Sequence, residues 1–590
     1  MNARLDRRRF LQSLGWFSVA ASAPGMLAAC SSEDAESDEE ARARTFPQGL
    51  ASGDPRAESV ILWVRAVSSG GVDHAVSYEV ALDEAFTSLV ATGEVTASAE
   101  ADFTVRVKVT GLAPYTRYYY RFAAQGVRSV TGRTRTAPLP DADVSPRFAI
   151  AACQDFNGRY FHAYQALLAE EQLPDFIVHL GDYVYETAGD PRFQDVTDAR
   201  RITLADGLEI GDDTTSIRAA LTLEDYRSLY RQFRSDPVLQ RVHALVPFLA
   251  IWDDHEFADD CWGAHSTHWN DAKGDEDSPD RRHAASRAWF EYQPADVSFD
   301  EAAAPPDDLT IYRSFRWGKH LELFLTDQRS YRSDHVIPEG PVDVDVAKLT
   351  ANSSLGARNF VLKSGFDPKE VTAAPTMLGA KQRDWLVDGV KASSATWKFW
   401  GSETQVAQMT VDLSSYDVPE AFKDLFYFST DQWDGYRSER RTILESLAST
   451  KNLVVLTGDI HAFLAAELHV DFDAPASPTA VEYVVGGLSS TSIQEITQRV
   501  IDASPTFTAL GLGTLVPKMD ALLVEAGPHY RLARTKANGI GVVDVDGAKE
   551  LRVTYLLVAG VTTPTFDGKV ERVALRTPAG VSRIEVAAGG

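Results

Sequence analysis

The sequence predicts an all-β sandwich followed by a larger α/β layered domain, and three observations carry that expectation. From Phe46 to about Ala137, short alternating strands are separated by turn-rich segments at regular intervals, the pattern of a sandwich. From Arg147 onward, strand-like runs alternate with helical patterns, as in layered α/β folds. Within that second region the runs Phe148–Ala151, Phe176–Leu180, Phe248–Ile251 and Leu453–Leu456 are apolar almost without interruption, which suits strands buried on both faces of a sheet. At 590 residues the chain is too long for one ordinary core. Its 44% hydrophobic and 24% charged residues are those of a globular protein.

The first 30 residues read as an export signal, to be kept out of the fold. Arg7-Arg8-Arg9-Phe10-Leu11 is a twin-arginine motif, which implies the twin-arginine export machinery as a partner and export of an already folded protein. The apolar stretch from Leu14 to Ala29 is too short and too rich in small residues to span a bilayer securely. Leu27-Ala28-Ala29-Cys30 resembles the bacterial lipobox. It predicts that Cys30 is acylated and that the protein is extracytoplasmic, in the periplasm or at the cell surface, tethered to the membrane by a lipid anchor. Residues 31–45 are acidic and almost free of bulky apolar side chains, so a flexible tether is expected there.

The sandwich is expected over residues 46–140. Val60–Val64, Val76–Ala81, Phe103–Val107 and Arg117–Phe122 supply strands, and the segment Gly111–Phe122 resembles the tyrosine corner of a fibronectin type III domain. Its aromatics are read as packing groups, so this region is expected to support rather than catalyse. The Pro-rich stretch Ala137-Pro138-Leu139-Pro140, with Pro146, serves as the linker.

Helical patterns in the larger domain run over Tyr160–Glu171, Leu223–Ser235 and Lys381–Lys391, and the acidic stretch Asp259–Arg282, with His265 and His268, reads as an exposed loop. Each apolar run ends on metal-ligand side chains: Cys153, Asp182 with Tyr185, Asp254 with His255, and Asp459 with His461. Ligands gather at the carboxyl ends of strands in such folds, so remote segments can meet there as a metal-dependent hydrolase. One Asp after a strand is commonly a turn or cap residue; four such groups together make that reading improbable. Of the three cysteines, Cys153 is assigned to metal and Cys261 has no assigned role, with a disulfide between them as the competing reading. The net charge of −26 argues against a nucleic acid backbone as partner and leaves a small phosphate ester open.

The series Ala51–Pro55, Leu62–Arg65, Ala152-Cys153-Gln154, His179–Glu186, Trp252–Glu256, Trp433–Tyr436 and Thr457–His461 resembles the PhoD-like alkaline phosphatase/phosphodiesterase family over nearly the whole mature chain. The resemblance implies a calcineurin-like metallophosphatase domain, placed at residues 147–575, with two packed β-sheets flanked by helices. It implies iron(III) joined to calcium, with Cys153, Asp182, Tyr185 and His461 on iron, Asp182 bridging, and Asp254 and Asp459 on calcium. A histidine that many relatives supply has no clear counterpart near Gly401–Gln405.

The donor types agree with that implication. Thiolate, phenolate and carboxylate suit a trivalent iron, and oxygen donors suit calcium. Asp459 and His461 lie two apart, so an extended segment turns both to one side. A bound metal can lower the pKa of water from about 15.7 to about 7, on the order of 12 kcal/mol at about 1.36 kcal/mol per unit. His255 would donate to an oxygen or protonate the leaving group, and Arg329 would clamp phosphate through its fork. The expected activity is hydrolysis of phosphodiesters and monoesters by a monomer. The alternative is a surface-binding lipoprotein whose phosphatase-like domain is inactive.

Overall fold

The computed structural model describes residues 37–587 apart from 192–193, 195–199, 211–216, 267–276, 339–348, 350–351 and 355–357. Arg7–Arg9, Cys30 and His268 lie outside the described residues.

Two mixed sheets stacked face to face form the centre. The first has ten strands, in the order Glu585–Val586, Glu571–Pro578, Glu550–Val558, Asn538–Asp546, Arg147–Ala151, Phe176–His179, Phe248–Ala250, Leu50–Gly53, Ser59–Arg65 and Thr104–Thr110. The second has seven: Arg313–Trp317, Leu321–Leu325, Trp397–Gly401, Leu453–Thr457, Ala480–Val484, Phe463–Leu468 and Tyr530–Arg534. Both are parallel in the middle, with Val178 paired to Ile150 and Leu249 in one and Val455 paired to Trp400 and Glu482 in the other. The apolar runs form these inner strands because both of their faces are covered. Phe148 stacks on Phe176 with ring centroids 5.1 Å apart and meets Phe399 of the opposite sheet edge-on at 5.5 Å. The sheets come close at their carboxyl ends, where a Cβ on Gly458 would lie 2.5 Å from that of Ala152. Only glycine lets the loop carrying Asp459 and His461 reach the end of the strand that leads to Cys153.

The first strands of the region expected as a sandwich over 46–140 are also part of the larger sheet. Leu50–Gly53 pairs in parallel with Phe248–Ala250, so three N-terminal strands continue the ten-stranded sheet. Their other face packs on a five-stranded sheet that includes His74–Ala81, Leu89–Ala97 and Arg117–Ala124, enclosing Leu62, Val64, Val76, Val107, Tyr120 and Phe122. Tyr118, in the segment resembling a tyrosine corner, accepts a hydrogen bond from the Ala113 amide at 2.8 Å. At the other end the strand Glu571–Pro578 runs through the expected boundary at 575, and Glu585–Val586 pairs beyond it.

Two expected loops differ as well. Asp38–Thr45, in the supposed tether, is a helix capped by Ser37 and Glu40 in a reciprocal box, with acids in its first turn and Arg42 and Arg44 in its last. Capping and dipole complementarity fold a segment that apolar content alone would leave open. In Asp259–Arg282, the described residues Asp259, Cys261, Ser266, Arg281 and Arg282 are buried and a helix begins at Pro279. His265 stacks on Trp262 with centroids 3.7 Å apart. This burial is invisible in the pattern of charges because Arg281 and Arg282 are hydrogen-bonded inside, to Ala220, Ser266 and Ser330. The three expected helices are found close to their places, at His162–Leu168, Leu223–Phe233 and Gly379–Ala392, and Lys363–Ala373 is a further helix. No helix among the described residues is long and apolar enough to cross a membrane.

Candidate metal centre

Four of the expected ligands share an uncommon backbone: Cys153, Asp182, Asp459 and His461 have φ of 56°, 53°, 60° and 54°. The left-handed region costs a non-glycine residue about 1–2 kcal/mol, and such residues persist where the surroundings hold them. Cys153 N–H donates to the Gly181 carbonyl at 3.1 Å and Gln154 N–H to that of Asp182 at 2.9 Å, locking two strand ends together. Glu256, buried, accepts from the amides of Asp182, Tyr183 and Asp253 at 3.0, 2.6 and 2.8 Å and ties a third strand end to them. Gly181 allows this closeness, since a Cβ there would lie 2.4 Å from that of Asp253.

Glu256→Ala strands three amide donors, each costing about 1–3 kcal/mol when buried without an acceptor. The expected outcome is a stability loss on the order of 3 kcal/mol or more in urea denaturation, with weakened metal retention. A loss below about 1 kcal/mol, the span of ordinary surface substitutions, would show that Glu256 does not organise the loops.

Ligand atoms of Cys153, Asp182 and His461 lie within 4.8 Å of one another, as do those of Asp182, Asp254 and His255, and those of Asp253, Asp254 and Asp459. The Tyr185 hydroxyl stands 3.3 Å from Asp182 and 3.2 Å from His461 Nε2. His461 Nδ1 faces the Thr491 carbonyl at 2.6 Å. A carbonyl can only accept, so Nδ1 carries the proton and Nε2 turns its lone pair toward the Tyr185 and Ser490 hydroxyls, 3.2 and 3.3 Å away, as metal-binding imidazoles are held. The thiols of Cys153 and Cys261 are both free, so no disulfide joins them.

The residues fit cations. Asp182 Oδ1, Asp253 Oδ2 and Asp254 Oδ1 are buried and accept no hydrogen bond, a costly arrangement for carboxylates unless a positive ion completes it. Burial, with repulsion from Asp254, Asp253 and Glu256, pushes the Asp182 carboxyl well above the usual range. Burial, then Asp253, does the same to Asp459. The Cys153 thiol and Tyr185 phenol are pushed up by burial and then by Asp182. Burial pulls His461 down to about 4, which keeps it neutral. His255 goes the other way: burial opposes its charge, but Glu186, Asp254 and Asp182 hold its pKa well above the ordinary imidazole value. Its Nδ1 is 2.7 Å from Glu186.

Arg329 is not placed as a phosphate clamp. Fully buried, its guanidinium pairs with Asp253, with Asp431 and Asp459 at 3.0 Å each, and with Asp254 at 3.5 Å. Planar donors in a fork suit carboxylates as well as phosphate, and here carboxylates surround it. Asp431 is held well below the carboxylate range, its burial outweighed by Arg332, Arg329 and His335. Sequence reading missed Asp253, Glu186, Glu256 and Asp431. Asp253 and Glu256 flank Asp254 and His255 directly, so adjacency to recognised ligands was a usable signal; Asp431 had none. At the position without the expected histidine, buried Glu403 accepts from the Gln328 amide at 3.1 Å.

Comparison with known proteins gives concordant results. The family model described as PhoD-like phosphatase matches residues 148–555, and that of the PhoD-like phosphatase N-terminal domain matches 29–138. Alkaline phosphatase D of Bacillus subtilis (strain 168) is 31% identical over 494 residues, covering 81% of this chain and 74% of that protein. A solved structure of PhoD superposes with a TM-score of 0.71 at 25% identity, covering 92% of each chain.

Proposed function

The chain belongs to the PhoD-like phosphatase family and is a phosphoric ester hydrolase, and on that premise we propose that it cleaves phosphodiesters, with monoesters as secondary substrates, at an iron–calcium centre. Cys153, Asp182, Tyr185 and His461 would hold iron(III), and Asp182, Asp254 and Asp459, joined by Asp253, would hold calcium. The observation that carries this reading is the convergence of thiol, phenol, carboxylate and imidazole on Asp182, whose Oδ1 accepts no hydrogen bond. Bound there, the cations supply Lewis-acid polarisation of the phosphoryl oxygens and activation of water.

The chain's own groups do the rest. Asp182 stands between the two ligand clusters and positions both. His255, charged through its contact with Glu186, is placed to give a proton to the leaving oxygen. Thr491 fixes the His461 tautomer, and Arg329 balances carboxylates that a calcium ion alone leaves in excess. The twin-arginine motif and Cys30 support a lipid-anchored extracytoplasmic monomer that is exported folded.

Elemental analysis with a visible spectrum tests the centre. Purified enzyme is expected to contain iron and calcium and to show a charge-transfer band that Tyr185→Phe and Cys153→Ser each alter, with activity lost to chelators. Colourless, iron-free enzyme indifferent to chelators would overturn the reading. For substrate class, turnover of bis(p-nitrophenyl) phosphate is expected to exceed that of p-nitrophenyl phosphate. A monoester rate about tenfold higher, worth 1.36 kcal/mol in the barrier, would remove the diester preference.

A further inference from the structure

A cleft of about 470 Å³, open to solvent, lies at the amino ends of the central parallel strands. Asp175 and Pro247, the residues just ahead of Phe176–His179 and Phe248–Ala250, line it. The metal-ligand candidates follow the carboxyl ends of those strands, so the cleft opens at the opposite end of the strands. Arg117, Arg133 and Arg135 come from the N-terminal sandwich, and Arg241 comes from the helix Pro237–Leu245.

Four arginines gathered in a chain of net charge −26 require an account, and the lining carboxylates do not provide one. Asp175 is taken by Arg135. Glu170 is taken by Arg147 at 3.2 Å and Arg572 at 2.5 Å, neither of which lines the cleft. Glu171 is exposed. Among the described residues, Arg117, Arg133 and Arg241 have no carboxylate partner. Arg133 Nε donates to the Leu245 carbonyl at 3.1 Å, which leaves the two terminal nitrogens of its fork for another acceptor. Burial, and then the charges of Arg117, Arg135 and Arg241, lower its pKa. Arg133 and Arg135 are half-buried and Arg117 and Arg241 are exposed; like charges gathered this way repel one another until an anion joins them, and guanidinium forks match phosphate oxygens in pairs.

We propose that this cleft is a second anion site, separate from the metal centre, which binds a phosphate group through Arg117, Arg133 and Arg241. The group is either free phosphate or a phosphodiester in a polymer, and both present the same oxygens. The position favours a holding or regulatory role, since the metal centre lies at the other end of these strands.

Calorimetric titration of the metal-loaded enzyme with inorganic phosphate, and separately with oligothymidylate, tests this. Native enzyme is expected to show a class of sites beyond the metal centre with at least one of these probes. The triple variant Arg117→Gln, Arg133→Gln, Arg241→Gln is expected to weaken that class by about a hundredfold or more, given about tenfold for each charge-assisted contact. Hydrolysis of a p-nitrophenyl ester stays unchanged. Arg241→Gln alone, at an exposed position that the fold does not need, is expected to weaken it by about tenfold. Binding of phosphate alone assigns the site to the free ion, and binding of oligothymidylate alone assigns it to a polymer. Native enzyme with no class beyond the metal centre for either probe, or an extra class that survives in the triple variant, would overturn the proposal.

Discussion

Asp182→Ala is expected to lower hydrolysis of bis(p-nitrophenyl) phosphate by about a thousandfold or more, since a loss of about 4 kcal/mol of transition-state stabilisation has that effect. Asp182 is the one side chain shared by the thiol-bearing and carboxylate-bearing clusters, so on the proposed assignment its removal would take a donor from both cations at once. The fold is expected to survive. The Asp182 amide still donates to Glu256 and its carbonyl still accepts from Gln154, and the deleted group is one whose ionisation burial opposes. Circular dichroism beside turnover checks both halves of the expectation. Activity retained with native structure would show that chemistry happens elsewhere, and it would also reopen the inactive-lipoprotein alternative for this chain. Asp182→Asn, which keeps the shape and removes the charge, guards against a packing artefact.

Arg329→Met is expected to destabilise the metal-free protein by about 3–5 kcal/mol, the usual cost of removing one partner from a buried ion pair. The side chain is fully buried and its guanidinium faces Asp253, Asp254, Asp431 and Asp459. Without it, carboxylates already repelling one another lose their fixed cation. If the proposed calcium binds there, its addition is expected to narrow the gap, because it would supply positive charge to Asp253, Asp254 and Asp459. Urea denaturation with and without calcium measures this. A phosphate clamp would behave differently: the variant would bind ester poorly with stability unchanged, and that result would restore the role read from sequence.

The contrast between these residues explains how much was legible. Cys153, Asp182, Asp254 and Asp459 could be read because each follows an apolar run, and a buried parallel strand delivers its next residues to a common edge. The layered α/β class followed from the same runs. Arg329 follows such a strand too, at Leu321–Leu325, but sequence shows only that it arrives, not which neighbours surround it. Its four carboxylate partners come from three segments far from it in the chain. The helix Asp38–Thr45 was hidden because a capping box and charge placement were outweighed by low apolar content. The joined sheet was hidden because edge pairing between Gly53 and Phe248 leaves no local mark.

That joined sheet also sets an order of events during synthesis. Arg147–Ala151, the strand leading to Cys153, has Asn538–Asp546 as its neighbour on one side. Those partners are almost four hundred positions apart, counting from Ile150 to Gly541. The ladder that seats the cysteine therefore stays open until nearly all of the polypeptide has left the ribosome, and non-local closure of this kind is slow. A chain threaded outward as it is made would have to finish this assembly on the far side. One dispatched after completion arrives with the thiol already in place.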